Sequence, residues 1–161
     1  MGDGPLQWCH ALLFGRKTYE LLHGYWPGIA ATGEGSAPVV RFARLLEGKP
    51  KYVISRQEPP PGWNASRLAF GHEGAGVAAL RRDLPATLLL VASPSLARTL
   101  VQARLIDEYH LAIQPILVGH GPTFLSGLPT PARLRLVDTN RLRSGVAIHR
   151  YALQPDEAQL I

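Results

Sequence analysis

The sequence predicts an α/β protein, a three-layer sandwich around a mostly parallel sheet that ends in an antiparallel C-terminal hairpin. Two patterns carry this. Through the first two thirds of the chain, short apolar runs alternate with segments whose apolar positions recur at helical spacing, the order that builds parallel sheets. The last third is β throughout. A third observation sets the scale: 161 residues, 46% hydrophobic and 18% charged, suit a single domain spanning 1–161. Such a chain buries enough surface to fold without disulfide or metal staples.

The elements follow in order. Ala11 to Phe14 forms a strand running into Gly15, and Thr18 to Trp26 a helix, with Leu21, Leu22 and Tyr25 on one face. Gly28 to Pro38 is rich in Gly, Ala and Ser and reads as a loop; Val39 to Leu46 then makes a short helix closed by Gly48. Lys51 to Ser55 is a strand that stops before Pro59, Pro60 and Pro61. A strand at Ser66 to Phe70, a helix from Gly76 to Asp83 and a buried strand at Thr87 to Ala92 come next. Pro94 fits the first turn of a helix over Ser95 to Ala103, because its missing N–H would be unpaired there anyway. A long strand is predicted over Glu108 to Val118, with Gly119 and Gly121 as turn residues. The hairpin pairs Arg133 to Asn140 with Ser144 to Leu153.

Composition excludes several classes. The lone Cys9 can make neither an intrachain bridge nor a zinc site, and it reads as a small buried residue. The apolar runs are too short to span a bilayer, and Met1 to Pro5 does not read as a signal peptide, so the expected compartment is the cytoplasm. Seventeen Lys and Arg against twelve Asp and Glu give a net charge of +5, which suits an anionic ligand. A nucleic-acid partner is not expected, because Arg41, Arg67, Arg98 and Arg133 are scattered rather than gathered in a stripe with aromatics. The histidines show no ligand spacing, so no metal site is expected. Trp8, Trp26 and Trp63 read as packing residues, with Trp26 placed to line a planar ligand.

In open α/β sheets ligands bind beyond the carboxyl ends of the strands, and three such ends carry chemistry. At Gly15-Arg16-Lys17-Thr18 a helix starts, its free N–H groups attract phosphate, and Arg and Lys add charge. At Ser55-Arg56-Gln57 a hydroxyl and a guanidinium stand at a strand end. At Val91-Ala92-Ser93-Pro94-Ser95 a hydrophobic strand breaks into a helix whose start can face a pyrophosphate.

These three segments in this order, followed by Leu105-Ile106-Asp107-Glu108-Tyr109 and by Pro115-Ile116-Leu117-Val118-Gly119-His120-Gly121, resemble the dihydrofolate reductase superfamily, and within it the RibD C-terminal domain family. The resemblance runs from about Ala11 to Leu153, and its firmest parts are Gly15, Arg16, Thr18, Tyr19 and Glu20, the strand end at Ser55-Arg56, and the run from Leu105 to Tyr109 with its continuation from Pro115 to Gly121. It implies a dihydrofolate reductase-like fold that binds NADPH. Gly15, Arg16, Lys17 and Thr18 would then meet the phosphates, Ser55 and Arg56 the ribose 2′-phosphate, and the loop of Ala92, Ser93, Ser95 and Leu96 the pyrophosphate. Leu105 to Tyr109 would lead a strand into the sheet, and His120 would be a surface residue. Ala92 and Ser93 stand where the family has a Gly-Gly pair, so their side chains are expected to project where the pyrophosphate passes. The family also carries a longer segment ahead of the first turn than the fourteen residues before Gly15, which predicts a chain short on its substrate side.

The implied function is an NADPH-dependent reductase of a small heterocycle, either a ribosylaminopyrimidine of the riboflavin pathway or a pteridine-like ring, and the resemblance implies a homodimer, since members of the family are commonly dimeric. No catalytic residue is identified, since no carboxylate pair is placed for acid–base work. The alternative is a family member that keeps the scaffold for binding or assembly without turnover.

Overall fold

The computed structural model of the chain describes residues 4–55, 62–63, 66–70, 73–84, 86–120 and 131–155. Two compact units divide it, Met1–Thr99 and Leu100–Ile161.

The first unit begins with a one-turn helix α1 (Pro5–Trp8), then β1 (Ala11–Gly15), α2 (Arg16–His23), α3 (Trp26–Thr32), α4 (Ala37–Glu47) and β2 (Lys51–Ser55). It continues through β3 (Ser66–Phe70), α5 (Glu73–Asp83), β4 (Leu88–Leu90) and α6 (Pro94–Gln102), whose last turn crosses into the second unit. The four strands pair in parallel in the order β3-β2-β1-β4. Unbroken apolar runs explain this choice: Ala11, Leu12, Leu13 and Phe14 are all buried, as a strand covered on both faces requires. The chain moves outward from β1 to β2 to β3, then returns to pair β4 on the other side of β1. Right-handed crossovers therefore put α2 to α4 on one face and α5 on the other, two helical layers with the sheet between them. The same reversal makes the β1/β4 boundary the topological switch point.

On the α2 side the core gathers Leu6, Cys9, Leu12, Phe14, Tyr19 and Leu46, together with Val53 and Trp63. Phe14 stacks on Trp63 at 6.2 Å between ring centroids, and Tyr19 meets both rings. The segment expected to be a loop from Gly28 to Pro38 is partly helical. Pro27 fits the first turn of α3, and Gly33, at φ 73°, ends it with its N–H on the Ile29 carbonyl at 2.9 Å.

The second unit is an antiparallel sheet of β5 (Glu108–Ile113), β6 (Leu134–Arg141) and β7 (Ala147–Leu153) in the order β5-β7-β6. β6 and β7 are the expected hairpin, closed by Leu142 N–H on the Val146 carbonyl and by Gly145 at φ 88°. Two details differ from expectation. β5 joins this hairpin instead of lengthening the parallel sheet, and it ends at Ile113 instead of Val118, because Pro115 has no N–H for a ladder. Among the described residues no helix is long and apolar enough to cross a membrane.

Candidate functional site

The switch point brings two of the three chemistry-bearing segments together at the carboxyl end of the sheet. β1 ends at Gly15, an extended residue that serves as the N-cap of α2. Beyond β4, Val91 N–H bonds the Leu13 carbonyl at 3.2 Å, after which Ala92 and Ser93 turn the chain into α6. Both turning residues are left-handed, with φ of 49° and 54°. This is the backbone that a Gly-Gly pair adopts at no cost and that costs a residue with a Cβ about 1–2 kcal/mol.

The left-handed turn directs the Ser93 side chain back into the sheet. Gly15 N–H donates to Ser93 Oγ at 3.0 Å, and the Ser93 hydroxyl donates to the Val91 carbonyl at 3.1 Å. Ser93 is 4% exposed. Its side chain therefore does not project outward as the sequence suggested, whereas Ala92 is exposed. The helix α6 starts with the Ala97 N–H on the Ser93 carbonyl at 2.9 Å, so the N–H groups of Ser95 and Leu96 lie in the unpaired first turn. Leu96 contributes only this backbone group, because its side chain is buried at 3% exposure, while Ser95 is exposed. Arg16, Lys17 and Thr18 occupy the corresponding first turn of α2.

Arg16 is held by its own helix, with Nη1 2.7 Å from Glu20 Oε1. A half-exposed i,i+4 pair of this kind contributes no more than about 0.5 kcal/mol, so a phosphate competes for it easily. Lys17 is exposed. The third segment is brought alongside by pairing of β1 with β2, in which Gly15 faces Ile54 and Ser55 lies one residue beyond. Arg56 and Gln57 lie outside the described residues. His120 is exposed, as expected for a surface residue. Trp26 starts α3 and packs edge-on against Phe42 at 4.8 Å, Trp63 is core, and Trp8 is 49% exposed instead of packed away.

Sequence reading missed a buried polar cluster near the opposite, amino end of the sheet. Lys51 is fully buried; its ammonium donates to the Glu47 and Lys49 carbonyls at 3.3 and 2.9 Å and lies 4.6 Å above the Trp63 ring. Trp63 Nε1 in turn donates to Glu47 Oε2 at 2.8 Å. Burial lowers the Lys51 pKa to about 8, against a smaller opposing pull from Glu47. The signal was a lysine opening an otherwise apolar strand, just after a helix end whose carbonyls need donors. Two shallow surface grooves, one along Gly33 to Leu45 and one at the amino end around Trp8, Cys9, His10 and Pro50, lie away from the switch point. Among the described residues no group of three acidic, His or Cys side chains is placed to hold a metal ion.

Comparison with known proteins bears on this geometry. The chain matches the RibD C-terminal domain over residues 6–148. It belongs to the RibD C-terminal domain family. A Bacillus subtilis (strain 168) protein, YyaP, itself uncharacterized, is 27% identical over 159 residues, covering 89% of this chain and 82% of its own. A Shewanella sp. PV-4 protein, provisionally named for riboflavin biosynthesis, superposes with a TM-score of 0.72 at 18% identity, over 96% of this chain and 81% of its own. Acinetobacter baumannii RibD superposes at 0.58 and 12% identity, with 91% of this chain covering 47% of that one. These similarities show that the RibD-like fold is shared.

The residues at the switch point fit a dinucleotide. Two helix starts meet there with their N–H groups unpaired by the helices, a lysine and an arginine flank one of them, and the left-handed pair reproduces a glycine backbone. Arg16, Lys17 and Thr18 with Ser95 and Leu96 are the groups that would hold its phosphates.

Proposed function

We propose that this member of the RibD C-terminal domain family is a cytoplasmic, NADPH-dependent reductase of the riboflavin-pathway type, acting on a small ribosylaminopyrimidine. The observation that carries this reading is the convergence of the α2 and α6 starts on the Gly15–Ser93 hydrogen bond at the switch point. When bound, NADPH supplies a hydride to an imine or carbonyl carbon, and the heteroatom of that group takes a proton. The chain's part is positioning: the first turns of α2 and α6 fix the phosphates, and the carboxyl end of the sheet orients the rest of the ligand. In this reading Ser55 and Arg56 stand at the 2′-phosphate and set the preference over NADH.

The test is a fluorescence titration with NADPH and NADH, followed by loss of NADPH absorbance on adding 5-amino-6-(5-phosphoribosylamino)uracil. Saturable NADPH binding with tenfold or greater preference over NADH is expected, since charge-assisted contacts to the extra phosphate contribute about 1.5–3 kcal/mol. Binding of neither nucleotide would overturn the reading.

The protein acts as a homodimer in this proposal. Ile113, Ile116, Leu117 and Val118 are between 54% and 100% exposed, an apolar stretch broken by Gln114 and Pro115 that supports burial against a second copy. Light scattering during gel filtration at micromolar concentration should give twice the 17.5 kDa of one chain.

A further inference from the structure

The hydrogen bonds between β1 and β4 reveal an irregularity at the end of the ladder. In a parallel pair each bonding residue of one strand contacts the residues on either side of its partner. Ala11 N–H therefore bonds the Thr87 carbonyl and Leu13 accepts from Val91 N–H, as observed. The next rung of this series is Gly15 N–H to the Val91 carbonyl. In the structure a side chain occupies it: Gly15 N–H reaches Ser93 Oγ at 3.0 Å, and the same hydroxyl passes the bond on to the Val91 carbonyl at 3.1 Å. One oxygen atom is thus inserted between the two strands where the sheet opens toward the ligand. A hydroxyl can do this because it donates and accepts at once, and it reaches back into the ladder only because Ala92 and Ser93 are both left-handed.

We propose that Ser93 is a positioning residue for the pyrophosphate, a spacer that sets the separation of the α2 and α6 starts by relaying the last β1/β4 rung. This inference rests on the cofactor reading given above. Gly15 is the N-cap of α2 and Ser93 immediately precedes α6, so the inserted hydroxyl joins the residues from which both first turns leave the sheet. Ser93 is buried and the hydroxyl acts from beneath, so the ligand meets the N–H groups that it positions and not the hydroxyl itself. A direct rung, formed once the hydroxyl is removed, would draw the Gly15 N–H onto the Val91 carbonyl and narrow the opening.

Two measurements on the full chain test this. The first is the exchange rate and chemical shift of the Gly15 amide by NMR without any nucleotide. The second is the binding of NADPH, of ADP-ribose, which carries the pyrophosphate without a 2′-phosphate, and of 2′-AMP, which carries only the latter. For Ser93→Ala the Gly15 amide signal should shift, and affinity for NADPH and ADP-ribose should fall about tenfold, the loss expected for misaligned hydrogen bonds to a charged group. Affinity for 2′-AMP should stay within about twofold, which general damage to the fold would not spare. Ala92→Gly, which alters the same turn without touching the relay, should keep the parent Gly15 amide signal. Should Ser93→Ala not fold, Ser93→Gly removes the hydroxyl while relieving the positive φ, and the same results are expected of it. Unchanged pyrophosphate affinity in the hydroxyl-free variant overturns the spacer and leaves the cofactor reading standing. Absence of NADPH binding in the parent chain overturns the cofactor reading and the spacer with it.

Discussion

The two units of the chain place their apolar residues differently. In the parallel unit they lie inside: β1 is buried from Ala11 to Phe14 and β2 from Lys51 to Ile54. In the antiparallel unit every residue of β6 after Leu134 is exposed, and Leu136, Val137 and the run from Ile113 to Val118 face outward. Central strands covered on both faces leave only strand ends available for chemistry, and the residues proposed to face the ligand are at such an end. A sheet with bare apolar positions is suited to covering a surface, which is the role that the dimer proposal gives it.

The largest expected effect is on the sealed side. Phe14 is fully buried and packs against Tyr19 and Trp63, so Phe14→Ala should cost about 3–5 kcal/mol in denaturant unfolding. Val137→Ala on β6 should cost about 1 kcal/mol or less, because the side chain is 36% exposed. Comparable losses at both positions would break the contrast between the units.

Next in size is the buried ammonium of the parallel unit. Lys51 has its pKa lowered from 10.5 to about 8 in the folded protein, so between these values the unfolded chain holds more protons. Stability contributed by this group therefore rises with pH from about 8 to 10.5, by at most about 3 kcal/mol. Cys9 and Tyr109 act in the opposite direction: burial raises both pKa values, so the folded state holds their protons longer and loses stability as pH rises through that range. The difference between the parent and Lys51→Met isolates the lysine. Chemical denaturation at pH 7.5 and pH 10 should show that difference move in favour of the parent as pH rises. A pH-independent difference would mean that the ammonium is solvated.

On the bare side, Leu117→Asp should weaken the proposed dimer by about 2 kcal/mol while leaving the unfolding of the monomer nearly unchanged, since the side chain is fully exposed. Sedimentation equilibrium measures the first and denaturation at low protein concentration the second. An unaltered dissociation constant would place the interface elsewhere.

Legibility in the sequence follows the same division. Local signals sufficed for β2 and β3, whose bounds match expectation at both ends, and for α6, whose Pro94 marks the first turn, whereas α4 begins two residues before the expected Val39, with Pro38 in its first turn and not in the preceding loop. They failed at α3, where Gly28 and the small residues after it read as loop although Pro27 and Gly33 bracket a helix. Two of the strand ends singled out in the sequence, at Gly15 and at Ala92-Ser93, meet at the switch point, where Gly, Ser and Pro mark the helix starts. Its inner construction was not legible: that the Ser93 side chain turns inward depends on a left-handed φ and on a strand 78 residues away. Lys51 was hidden for the same reason, since its carbonyl partners are local but the Trp63 ring above it arrives through a crossover.

The smallest effect is the sharpest test of that left-handed turn. Ala92 is exposed, has φ of 49° and contributes no side chain to the relay, so Ala92→Gly removes steric strain without removing a hydrogen bond. Relief of about 1–2 kcal/mol is offset by the greater freedom of glycine in the unfolded chain, about 0.4–1 kcal/mol, leaving a gain near 1 kcal/mol. In thermal unfolding this is an increase of about 2–4 °C. The same substitution in the other unit should have the opposite sign: Ala112 is also exposed but lies in the extended strand β5, where glycine costs about 0.5–1 kcal/mol. Scanning calorimetry of the two variants side by side is therefore a test of sign. Destabilisation by both would show that residue 92 is not left-handed in solution, and the Ser93 hydroxyl would then have no route into the ladder.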